Sequence, residues 1–115
     1  LNFLNQIHDY VEIYPIWLCP IKATKEKQYM SPHYSDNHEY MIDVGLWGIP
    51  KFGYPFNGIE VNRKIEELLT KNDGKKMNYG KFYYTKEELN KLYDMNEFEL
   101  LRNKYKSNRL KNCFR

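Results

Sequence analysis

The sequence predicts a small α+β fold, and three observations carry that prediction. Two stretches rich in β-branched and aromatic residues, Val11 to Cys19 and Glu39 to Gly45, have the composition of strands. Three later segments begin with a capping residue followed three positions on by Glu, the signature of a helix start. The two kinds of segment are separated by Gly- and Pro-rich connections. The expected order is helix, strand, strand, helix, strand, helix, helix, with a mixed or antiparallel sheet covered by helices.

Each element has its own warrant. Leu1 to Tyr10 places Leu1, Leu4 and His8, and Phe3 and Ile7, at helical spacings, and reads as the end of a helix that begins upstream. Val11 to Cys19 reads as a buried strand, with Pro15 near its start and Pro20 ending it. Lys22 to His38 is polar, contains Pro32 and reads as a long loop. In the second strand Tyr40, Ile42 and Val44 alternate with Met41 and Asp43.

Gly48 to Gly58 holds three Gly and two Pro and reads as a tightly turned connection. Asn57 and Glu60 open a helix with a buried stripe of Val61, Ile65, Leu68 and Leu69, ended by Asp73-Gly74. Lys76 to Tyr84 reads as a third strand, with Tyr79, Lys81 and Tyr83 on one face and Phe82 and Tyr84 on the other. Thr85 with Glu88, and Asn96 with Glu99, open the last two helices.

Composition narrows the function. At 115 residues there is room for one small domain or a part of a larger one, and 42% hydrophobic with 29% charged residues is a globular balance. The net charge of +3 is too small to point to nucleic acid. The stretch 102–115 carries Arg102, Lys104, Lys106, Arg109, Lys111 and Arg115 and no acid. It reads either as a solvated tail or as a contact with a membrane surface or acidic partner. The two cysteines, Cys19 and Cys113, make no disulfide framework and fit a reducing, intracellular setting better than a secreted one.

No self-contained active site emerges. His33, Asp36, His38 and Glu39 match no common metal-ligand spacing. Gly45, Gly48 and Gly53 do not form a phosphate loop, and Ser31, Ser35 and Ser107 lie in no nucleophile elbow. Cys19 sits in an apolar setting that favours an inert thiol. The run Met77-Asn78-Tyr79-Gly80-Lys81-Phe82-Tyr83-Tyr84 is the most suggestive local feature. Its phenols either line a planar cofactor or simply pack well on a pleated surface.

Four segments, in order and at matching intervals, resemble the delta(24)-sterol reductases, the diminuto-like branch of the vanillyl-alcohol-oxidase-like flavoproteins. They are Ile13-Tyr14-Pro15-Ile16-Trp17-Leu18-Cys19-Pro20, Tyr40-Met41-Ile42-Asp43-Val44-Gly45-Leu46-Trp47-Gly48-Ile49-Pro50, Gly74 to Tyr93, and Leu101-Arg102 with Lys104-Tyr105. The resemblance implies that residues 1–101 are the C-terminal part of a cap domain, followed by the basic tail 102–115. It implies FAD, bound mainly by a domain absent from this chain, and NADPH as electron donor. The implied reaction reduces the side-chain double bond of a sterol, flavin giving hydride to one carbon and an acid protonating the other. By position it makes Tyr79 and Tyr83 candidate catalytic residues and Trp17 and Cys19 candidate substrate-binding residues. The implied partners are a flavin-binding domain on the same or another polypeptide, the sterol, and a larger complex at the endoplasmic reticulum membrane. The alternative is a non-catalytic accessory subunit that has kept a cap-like fold.

Overall fold

A computed structural model describes residues 1–26, 31–77 and 79–110. The elements run α1 (Asn2–Tyr10), β1 (Ile16–Lys22), β2 (Tyr40–Leu46), α2 (Gly58–Lys71), α3 (Lys86–Leu92) and α4 (Met95–Lys104), closing with a 3-10 turn (Ser107–Arg109). This is an α+β arrangement in which β1 and β2 form a two-stranded antiparallel sheet.

Two apolar clusters hold it together. In the first, Ile7 and Val11 are fully buried and Ile13 and Val61 nearly so, with Phe3, Phe56 and Ile65 packed around them. The second gathers Phe82, Tyr84, Leu89, Tyr93 and Met95. Asn57 caps α2 by accepting bonds from the amides of Ile59 and Glu60. Thr85 and Glu88 form the complete reciprocal box on α3, which satisfies two orphan donors at once.

Several expectations are corrected. The first strand starts at Ile16, five residues later than expected, because Glu12 takes a left-handed conformation and turns the chain. Val11 and Ile13 are therefore core residues of a connection, while Trp17 and Leu18 stay half exposed. Pro20 does not end β1. It pairs with Ile42 inside the ladder, at a position where the missing N–H points away from β2. Asp73-Gly74 does end α2: Asp73 takes the left-handed conformation and the Gly74 amide bonds back to the Leu69 carbonyl at 2.9 Å. The last helix starts two residues early: Asp94, not Asn96, is its cap and accepts from the Glu97 amide.

The largest correction is the third strand, which does not form. Segment 76–84 has no ladder partner among the described residues. Its alternation survives nonetheless: Phe82 and Tyr84 are buried, Tyr79 and Lys81 exposed, and Tyr83 is intermediate. Side chains replace the missing ladder. Glu66, 1% exposed on α2, accepts from the Lys76 ammonium at 2.8 Å and the Tyr83 amide at 3.0 Å through one oxygen, and from Arg63 at 3.2 Å through the other. Arg63 also donates to the Tyr83 carbonyl at 3.1 Å and clamps Glu88 with two bonds of 2.8 and 3.0 Å. The Tyr93 hydroxyl closes the segment on the Lys76 carbonyl at 2.6 Å.

The basic stretch also folds back in part. Arg102 and Lys104 belong to the last turn of α4, and Arg102 donates to the Leu110 carbonyl at 2.8 Å. Residues 111–115, including Cys113, lie outside the described residues.

A buried carboxylate with three donors aimed at it cannot be removed cheaply. Glu66→Ala is expected to lower the unfolding free energy by about 3 kcal/mol, and Glu66→Gln by less because it keeps an acceptor for the Tyr83 amide. Urea denaturation of the two variants checks the order.

Candidate functional site

The elements enclose a groove of about 890 Å³ between the sheet and helices α1 and α2. Its walls include Leu4 from α1, Leu18 from β1, Ile42 and Val44 from β2, Ile65 from α2, and Tyr79. The helices present these apolar side chains because their stripes are spaced to face the first core cluster and the groove together. A mainly apolar concavity of this size is in the range of small-molecule sites.

The four candidate residues are not brought together. Tyr79 lies at the groove and is 76% exposed. Tyr83 is beyond it, half buried, with the Lys81 ammonium 5.3 Å and the Lys76 ammonium 5.8 Å from its ring centre. Its peptide is held on both sides, by Glu66 and by Arg63. Trp17 and Cys19 sit one strand position out of phase with Leu18 and Pro20, and so project from the opposite sheet face. That face is aromatic in its own right. A side-chain carbon at Gly45 would lie 2.2 Å from the Trp47 ring and 3.1 Å from the Trp17 Cβ. The glycine is thus the seat on which the Trp47 indole rests, beside Trp17. Cys19 is a free thiol.

Sequence reading missed Glu66 and Arg63. The available signal was an acid at the margin of the apolar stripe of α2, three residues after an Arg. It also missed Lys25, whose ammonium collects the carbonyls of Ser35, Asp36 and His38 at 2.9, 3.1 and 3.2 Å and so closes the long loop. Tyr34 donates to the Asp36 carboxylate, which pushes its own phenol up.

The charged cluster shifts titrations in the expected directions. The Arg63 guanidinium holds the Glu88 carboxyl below the usual carboxylate range. Burial pushes the Tyr84 phenol up to about 12, with the neighbouring Thr70 hydroxyl opposing. That Tyr84 hydroxyl has no well-formed hydrogen bond. Burial also raises Tyr93.

The residues present do not fit the phosphates of a flavin nucleotide. Such a site needs backbone amides of a glycine-rich turn left open to the ligand. Here Gly45 lies under the Trp47 ring and Gly74 is packed against Leu69, Gly53 stands in an open turn with no helix start at its amide, and at Gly58, which opens α2, the next two amides are already taken by the Asn57 side chain. Among the described residues no helix is long and apolar enough to cross a membrane.

Fold and groove together define a class: a small α+β unit that presents an apolar wall and half-exposed aromatic strands. The comparisons with known proteins supply the family. Rat delta(24)-sterol reductase is 30% identical over 101 residues, covering 88% of this chain and 18% of the rat protein. The human delta(24)-sterol reductase is 30% identical over 103 residues, 90% of this chain and 19% of that protein. The Arabidopsis thaliana delta(24)-sterol reductase is 27% identical over 119 aligned positions, 90% of this chain and 21% of that protein. The chain belongs to the delta(24)-sterol reductase family and spans about a fifth of the length of these curated relatives. No family model and no solved structure matches it.

Two outcomes follow from the site. Gly45→Ala is expected to lift the Trp47 ring from its seat, moving the tryptophan emission and costing about 1–3 kcal/mol, which fluorescence and thermal unfolding read together. For Tyr84, the folded phenol keeps its proton to higher pH than tyrosines of the unfolded chain, which titrate near about 10. Its stabilising contribution is therefore complete below pH 10 and is lost as the pH rises towards about 12. Tyr84→Phe is expected to change stability by less than about 1 kcal/mol at neutral pH and to make the alkaline decline shallower, as denaturation at neutral and alkaline pH would show.

Proposed function

We infer that the groove is a sterol-facing wall of a reductase whose FAD and NADPH sites lie on polypeptide outside this chain. The observation that carries this reading is the coincidence of an apolar cavity of about 890 Å³ with sequence likeness to sterol reductases over nearly the whole chain. A rigid, flat, almost wholly apolar ligand is bound by burial of its surface against aliphatic and aromatic side chains, with few polar groups fixing its orientation. Leu18, Ile42 and Val44 form the sheet side of such a wall. Tyr79 stands at its margin with a phenol free to reach a ligand, and is the stronger candidate for proton donor. Tyr83 fits a supporting role better, because both sides of its peptide are tied to α2.

The flavin-binding partner is part of this proposal, since the glycines of the described residues offer no pyrophosphate seat. That same feature favours the second reading, an accessory subunit without catalysis. The two part company on the native assembly. Flavin absorbance at about 450 nm in the assembly supports the reductase, and its absence supports the accessory role.

The groove itself is tested by a fluorescent sterol and energy transfer from tryptophan. Placing a charge in the wall with Ile42→Glu is expected to weaken sterol binding at least about tenfold, the equivalent of about 1.4 kcal/mol. Trp17→Ala, on the opposite face, should leave sterol affinity within about twofold on that scale. Equal affinity in the parent and Ile42→Glu would remove the groove from consideration.

A further inference from the structure

The sheet has two outer edges, and they are not equivalent. The Ala23 amide donates to the Glu39 carbonyl at 2.8 Å. With Lys22 opposite Tyr40, this fixes the phase of the ladder: Trp17, Cys19 and Ile21 exchange bonds with Gly45, Asp43 and Met41. The even-numbered residues of both strands therefore turn their N–H and C=O groups outward. On β1 that outward row is interrupted at Pro20, which has no N–H, and it ends at Lys22. Pro and Lys are the residues that natural sheets place on edges to discourage further pairing. On β2 the outward row of Tyr40, Ile42, Val44 and Leu46 is unbroken, with neither Pro nor Lys in the strand.

No backbone bond to these outward β2 groups is found among the described residues. Both sheet faces are also under-covered: Trp17, Leu18, Tyr40 and Ile42 are each more than half exposed. A two-stranded ribbon in that condition is marginally stable at best by itself in water.

We propose that β1 is a true edge strand and that the sheet grows at the outer edge of β2, which takes a strand from the part of the reductase polypeptide outside these residues. The occupant follows from length: the relatives devote about four-fifths of their sequence to polypeptide with no counterpart here. The added strand bonds to the Tyr40, Ile42, Val44 and Leu46 backbone and extends the apolar faces beside Ile42 and Trp17. This rests on family membership and on the ladder phase; it holds or fails independently of the sterol reading.

Residue-resolved amide hydrogen exchange on the native protein, purified from its source, tests the asymmetry within one sheet. The amides of Ile42 and Val44 are expected to exchange on the order of 100-fold more slowly than the outward amide of Leu18, and to match the inward amides of Met41 and Asp43. Fast exchange at both outer edges, or protection of Leu18 without Ile42 and Val44, overturns the proposal. Sedimentation over a range of concentrations separates the remaining occupant. If protection of β2 disappears as a dimer of this chain dissociates, the strand comes from a second copy and the proposal is wrong. Protection that persists in a monomeric polypeptide or a one-to-one complex with the flavin-bearing chain bears it out.

Discussion

Glu66 is the fixed point of this small protein. Its carboxylate is almost fully buried and is held by Lys76, Arg63 and the Tyr83 amide. Taking such a group out of water is costly unless its lone pairs are occupied, so the segments that supply the donors are bound to α2 as firmly as the helix itself is placed. Arg63 carries the constraint on to Glu88 and the start of α3, where Glu88 also completes the capping box. One charge cluster thereby joins the two apolar cores. It also fixes an irregular segment of chain that has no sheet to lie in.

The sheet poses the opposite problem. Its two strands are well registered, yet their side chains are more exposed than such residues normally are in a finished domain. Apolar patches of this kind mark surfaces that another partner covers. The groove and the aromatic face where Trp47 rests on Gly45 meet at those two residues, which also line the groove. Trp17 and Cys19 project to the aromatic face and Leu18 and Pro20 to the groove, although they are neighbours in sequence. That split follows from the two-residue period of a strand.

Much of this was legible in the residues. The caps at Asn57 and Thr85, the α2 stripe and the phase of β2 all read correctly, because each depends on neighbours within about four residues of sequence. The failures share a cause as well. The 76–84 run has the alternation of a strand, but alternation reports only that one face is buried; it does not say that a ladder partner exists. Here the buried face packs on helices and the backbone bonds go to Glu66 and Arg63. Pro20 has the local signature of a strand stop because a proline costs a ladder bond, but that cost arises only when the lost N–H faces the neighbouring strand.

By itself, the sequence determined the types of all but one element, most of the helix starts and, through four ordered segments, the family. Those are properties of local chemistry and of likeness along the chain. Only the tertiary structure decided which face each strand residue occupies, that Glu66 is a buried hub and not one more surface acid, and that Tyr79 meets the groove while Tyr83 is tied behind it. These depend on contacts between residues ten to twenty-five positions apart in the chain. The energy of a buried charge is set by the donors that reach it, and a linear pattern of residue types does not contain that list.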